Sequence, residues 1–170
     1  IVAGQQSGSW SSQGYHQAMV IRKYSPDGTL LWSRLYHNYA WNAARGVALD
    51  TQDNIYVTGN AFTSFSTYNQ WAVLKYTPDG ALVDGFPVFH DQGTLSTPID
   101  VPYDIAAWPD GGFVVVGQVA AGTENLDWHI RQYQADRQLA GADTYDHAGL
   151  HDIARSVAID STGNFVVGGC

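Results

Sequence analysis

Histidine recurs at near-regular intervals, as His37, His90 and His147, each just after a strand-like stretch. Three imidazoles brought together would suit a metal ion or proton transfer. The alternative is one structural hydrogen bond copied along with an internal repeat. Separation by a whole repeat would hold the three apart, so no joint metal site is expected and no cofactor is assigned. His147 and His151 are four apart, but no helical period puts them on one face.

Asn42, Asp100 and Asp152 recur in the same way, each five residues before an apolar strand residue (Val47, Ile105 and Val157). They suit contact with a cation or a sugar. The plainer reading is that each side chain caps its loop by bonding to nearby backbone. Asp91, Asp100, Asp104 and Asp152 are the carboxylates on which glycosidase chemistry would draw. The sequence brings no two of them within reach, so no catalytic residue is assigned. The acidic turns DTQDN and DSTGN lack the ligand spacing and distal Glu of a calcium loop, and turn chemistry accounts for them. No nucleophile elbow, phosphate loop or CxxC motif is present.

Aromatic residues divide by context. Trp32, Trp71 and Trp128 fall in strand-like stretches and read as packing residues. Trp10, Tyr15, Tyr39, Trp41, Phe62, Phe65 and Tyr68 fall in or beside polar loops, where aromatic rings suit glycan or protein contacts. The candidate binding set is therefore Trp10, Tyr15, Tyr39, Trp41, Asn42, Phe65, Tyr68, Asp100 and Asp152.

These residues hang on a repeated hairpin. IAAWPDGGFVVVG (Ile105 to Gly117) reads as strand, tight turn and strand, and it recurs at Val47 to Gly59 and at Val157 to Gly169. Gly4, Gly59, Gly117 and Gly169 close the copies at spacings of 55, 58 and 52 residues. Such a period marks a repeat architecture. Each full unit holds four short strands. The first is rich in small residues, and the second is continuously apolar, which predicts burial on both faces. The third alternates and ends in Tyr24, Tyr76 or Tyr133. The fourth follows a turn such as Ser25-Pro26-Asp27-Gly28 or Thr77-Pro78-Asp79-Gly80. In the third copy that turn loses its glycine, as Gln134-Ala135-Asp136-Arg137.

The pattern predicts an all-β chain, a β-propeller portion of about three four-stranded antiparallel blades belonging to a larger propeller. The expected units are a partial blade at 1–36, blades at 42–90 and 100–146, and a partial blade at 152–170. A fourth strand is expected over Leu82 to Phe89. The first-to-second and third-to-fourth turns are tight and leave one face. Long loops leave the other, over 5–17, 37–45, 60–70, 90–104, 118–127 and 146–153. Function tends to reside on such loops.

KYSPDGTLLW, KYTPDGALV, the D-x-x-x-x-VA-x-D pattern and GN-[IF]-[YV]-V-x-G resemble bacterial propeller repeats of the SBBP and delta-60 types. The resemblance covers essentially the whole chain. It implies a propeller and a large, secreted or surface-associated bacterial protein, and it carries no specific chemistry.

Composition narrows the partners. Net charge is −8 and Lys plus Arg number 8, which argues against a nucleic-acid partner. No apolar run is long enough to span a membrane. The single cysteine, Cys170, does not indicate a compartment. The expected role is an extracellular, cell-surface or periplasmic binding or scaffold module that engages protein or glycan on its long-loop face. The alternatives are a polysaccharide hydrolase or lyase that uses loop carboxylates, and a structural subunit of an extracellular assembly. Ile1 to Gly4 lacks a preceding first strand and Phe165 to Cys170 a following third strand. The chain is therefore expected to adjoin further blades or a neighbouring subunit at its ends.

Overall fold

The computed structural model describes residues 1–11, 14–38, 41–62, 70–90, 100–121 and 125–170. Among the described residues there are thirteen strands and no helix. The first sheet holds β1 (Val2–Ser11), β2 (Gly14–Tyr24) and β3 (Leu30–Tyr36). The second holds β4 (Ala43–Leu49), β5 (Ile55–Ala61), β6 (Gln70–Tyr76) and β7 (Val88–His90). The third holds β8 (Val101–Ala107), β9 (Phe113–Ala121), β10 (Asn125–Tyr133) and β11 (Leu139–Tyr145). The last is the pair β12 (Ala154–Ile159) and β13 (Phe165–Gly169). Every pairing within these sheets is antiparallel and joins strands adjacent in sequence.

Three apolar layers separate the four sheets. Met19 and Ile21 meet Ile55, Val57 and Leu74 between the first two sheets. Tyr56, Trp71 and Val73 meet Ile105, Phe113 and Val115 between the second and third. Val114 and Val116 meet Ala154 and Val157 between the third and fourth. Strands β5 and β9 feed the layer on each of their faces, which is why their sequences are continuously apolar. Full burial of a Val or Ile side chain contributes about 1.5–3 kcal/mol, so these layers dominate the stability.

Three expectations about strand extent are corrected, the simplest being the loop expected over 118–127, which β9 enters as far as Ala121 and β10 from Asn125. Residues 5–11 and 14–17 are strand rather than loop: β1 and β2 pair from Val2↔Arg22 through Ser9↔Tyr15, which places Trp10 and Tyr15 on long strands. Small Ser and Gly side chains do not obstruct a ladder, and continued pairing satisfies the backbone. The strand expected over Leu82 to Phe89 is broken. Leu82 makes an isolated bridge to Tyr76, and regular pairing resumes only at Val88. Between them Gly85 takes φ 81°, and Pro87 has no N–H to donate.

The degraded third-copy turn explains that break. Arg137 occupies the position glycine holds in the other copies and adopts φ 73°. Its guanidinium crosses to the preceding sheet, donates to the Asp84 carbonyl at 3.0 Å and lies over Phe86 at 5.9 Å. A Cβ on Gly85 would fall 1.1 Å from Arg137 Nη1, so the two departures from the repeat accommodate each other.

Candidate functional site

Strands β4, β8 and β12 are where successive sheets approach through their first strands, and each carries a β-bulge at its start. On β4 the register passes from Ala44↔Gly59 to Gly46↔Thr58, leaving Arg45 as the extra residue. On β8 the extra residue is Tyr103, between Pro102↔Gly117 and Asp104↔Val116. On β12 it is Arg155, between Ala154↔Gly169 and Ser156↔Gly168. A bulge re-aims the side chain of its extra residue. Here three copies of one bulge turn Arg45, Tyr103 and Arg155 toward each other.

The recurring glycines make room for these bulges. A Cβ on Gly59 would lie 2.1 Å from the Ala43 carbonyl oxygen, and one on Gly117 would lie 2.1 Å from that of Val101. Gly169 is crowded in the same way, at 2.0 Å from Ile153 O. The indole edges of Trp71 and Trp128, from the preceding sheets, also press on Gly117 and Gly169.

The Arg155 guanidinium carbon sits 4.5 Å from the Tyr103 ring centre, and that of Arg45 sits 5.6 Å from it. Tyr103 donates its hydroxyl proton to Gln118 Oε1 at 3.2 Å, which holds the ring in place. Arg45 Nε donates to Asn60 Oδ1 at 2.9 Å, leaving its two terminal nitrogens. Both arginines are exposed and Tyr103 is half-buried. The neighbouring carboxylate, Asp104, turns instead to β12, accepting from Ser156 Oγ and Val157 N at 3.0 Å. Among the described residues, neither arginine is ion-paired with a carboxylate; the ion pair present, Lys75–Asp50, is elsewhere. Two guanidinia flanking one ring, unneutralised in a chain of charge −8, make a local anion-attracting point.

The sequence-chosen residues are placed as follows. Asn42, Asp100 and Asp152 are buried. Asn42 Nδ2 donates to the carbonyls of Gln17 and Asn38 at 3.1 and 2.9 Å. Asp100 Oδ1 accepts from Ala120 N at 2.9 Å, and Asp152 Oδ2 from His147 N at 2.7 Å. Each ties the segment entering a sheet to backbone close by. Trp41 is 55% exposed, just ahead of β4. Tyr39, Phe65, Tyr68 and Asp91 lie outside the described residues, and for Trp10 and Tyr15 the described part is the backbone. The turn carboxylates Asp50 and Asp160 are consumed by their own turns: Asp50 by Gln52 N and Asn54 N, Asp160 by Thr162 and Asn164.

His90 does meet another histidine, but not one of its repeat equivalents. It stacks on His129 at 5.3 Å, and both rings lie edge-on to Trp71. His129 is 4% exposed and its Nδ1 shares a hydrogen bond with Thr144 Oγ1 at 2.9 Å. Burial, with the Arg131 charge, pulls its pKa down to about 4, so the ring is neutral. His129 Nε2 and Trp71 Nε1 are buried with no partner among the described residues. His147 packs on Tyr145 within its own segment. Among the described residues no group of three His, Cys, Asp or Glu side chains is arranged to hold a metal ion.

No family model and no curated protein matches the chain. Among solved structures it is similar to the periplasmic gluconolactonase of Pseudomonas aeruginosa, with 14% identity and a TM-score of 0.52. The similarity covers 98% of this chain and 47% of that one. The fold is propeller-like. The chain spans about half the length of that neighbour, and at this identity the likeness conveys architecture alone. No helix among the described residues is long and apolar enough to cross a membrane.

Arg45, Tyr103 and Arg155 were not among the residues selected from sequence. The signal was present: each lies two positions before the apolar residue (Val47, Ile105 or Val157) that aligns the repeats. Reading the repeat column by column for charge, rather than the loops for aromatics, would have found them.

Proposed function

We propose that the chain is about three four-stranded blades of a larger propeller, with β4, β8 and β12 as its inner strands. In this reading it is a binding module that engages an anionic group of its partner at the long-loop end of those strands. The carrying observation is the triple bulge that gathers Arg45, Tyr103 and Arg155 with, among the described residues, no carboxylate ion-paired to either arginine. A bulge repeated to present charge is a binding device, because a scaffold alone would be served better by a regular ladder. An extracellular, surface or periplasmic setting fits the repeat resemblance and the periplasmic origin of the structural neighbour.

A polysaccharide-cleaving role draws less support. Asp100, Asp104 and Asp152 each accept a backbone hydrogen bond that ties a strand or its entering segment in place, and no two of them are shown converging on one cleft. The neighbour's lactonase activity lends no residue to this site.

Retention of the natural protein on matrices bearing carboxylate, phosphate or no charge tests the reading. The wild type is expected to be held by an anionic matrix although these 170 residues carry −8, and the R45Q/R155Q variant to pass through. Equal passage of both on every matrix would overturn it.

A further inference from the structure

We infer that the anionic group recognised by Arg45, Tyr103 and Arg155 is the carboxylate of an acidic sugar within a glycan chain. This rests on the anion-binding reading and narrows it. Three observations select the ligand.

The first is charge density. Guanidinium groups match carboxylate and phosphate equally well in geometry. These 170 residues carry −8 with 8 Lys and Arg, and so repel a densely charged polyanion such as nucleic acid or polyphosphate. A uronate-type chain brings its charges one per sugar, with neutral hydroxyls between. It can deliver a carboxylate to the arginines while keeping total repulsion low.

The second is the number of free donors. Two guanidinia share one ring, at 4.5 and 5.6 Å from the Tyr103 centre. Arg155 has no hydrogen-bond partner among the described residues, while Arg45 retains both terminal nitrogens. Two guanidinia can serve more than one carboxylate of a chain.

The third is the surroundings. Side-chain amides, Asn60 and Gln118, border the arginines and the tyrosine. Trp41, 55% exposed, precedes Arg45 by four residues at the same end of β4. Those amides are buried and hold Arg45 and Tyr103 in place, whereas the exposed indole face is open to the apolar face of a pyranose. A flanking anionic peptide would gain nothing from this arrangement that a lysine cluster would not supply.

The test is calorimetric titration of the natural protein with three probes: a short oligogalacturonate, its carboxyl-reduced neutral form, and inorganic phosphate. The wild type is expected to bind the oligogalacturonate at least about tenfold more tightly than either other probe, a difference of ~1.4 kcal/mol. R45Q, R155Q and W41A should each weaken that binding, the arginine variants also removing its salt dependence. If phosphate binds as tightly and depends on both arginines, the acidic-sugar inference falls while the anion site stands. If no probe responds to either arginine, both fall. Should an arginine variant not fold, the salt dependence of the wild type decides: loss of oligogalacturonate affinity with rising salt supports the inference, and an unchanged affinity overturns it.

Discussion

At the tight-turn end of the second sheet, Asp50 accepts hydrogen bonds from Gln52 N, Asn54 N and Asn54 Nδ2, and Lys75 stands 3.5 Å away. Burial alone would raise its pKa, but these bonds and the Lys75 charge hold it below the usual carboxylate value. Tyr56 completes the cluster by donating to the Gly111 carbonyl of the next sheet at 2.9 Å. At the opposite end of the same sheet, Arg45 and Arg155 both meet Tyr103, and among the described residues neither is ion-paired with a carboxylate. One end has its charges neutralised and links sheet to sheet. The other sets two guanidinia on one ring with, among the described residues, no ion pair to either. Placed on one scaffold, the two ends separate polar groups that hold the fold from polar groups held in readiness.

Several substitutions would break or sharpen this contrast, the most damaging first. Gly117→Ala drives a methyl group into the Val101 carbonyl. It should cost about 3 kcal/mol in urea unfolding, because backbone on both sides must shift. A loss below about 0.5 kcal/mol would show that the bulge on β8 is slack and does not aim Tyr103. Asp50→Ala leaves three donors and Lys75 without their acceptor and should cost about 2 kcal/mol in the same measurement.

The His129 cluster gives a pH test of the middle of the interface. Its folded pKa, about 4, lies below the ordinary value of 6.5. Between those values the unfolded chain takes up a proton that the folded chain refuses. Stability should therefore be full above pH 6.5 and decline as the pH falls toward 4. Thermal unfolding of His129→Gln beside the wild type across that window checks this: the variant should show the shallower decline.

The ring itself should contribute least. Exposed cation–π contacts are worth about 0.5–1 kcal/mol, and mutual repulsion of the two arginines offsets part of that. Arg155→Gln should thus shift unfolding by less than about 0.5 kcal/mol while weakening anion binding.

How much of this was legible in the sequence depended on what a side chain had to do. The apolar runs at Ile55–Val57 and Phe113–Val116 announced strands buried on both faces, because a run without alternation leaves no face for water. Positions of Gly59, Gly117 and Gly169 marked the period, though not its cause. The cause is the bulge opposite each glycine, and a one-residue bulge leaves no composition signal. Residues 5–17 read as a loop because Ser and Gly lack the bulk of strand formers, yet backbone pairing carries β1 as far as Ser11 and β2 from Gly14. Asn42, Asp100 and Asp152 were visible as a recurring column, but whether such a column faces ligand or backbone depends on orientation. Arg45, Tyr103 and Arg155 escaped notice because they differ in type and share only a register position.

The account turns on the arginines being surplus to the fold. Thermal unfolding of R45Q/R155Q beside the wild type, each with and without a short oligogalacturonate, measures that directly. The account predicts equal midpoints without the glycan and a rise on its addition in the wild type alone. A midpoint lowered in the unliganded variant by as much as Asp50→Ala lowers it, with no glycan response in either protein, would contradict it and make the cluster a structural stack.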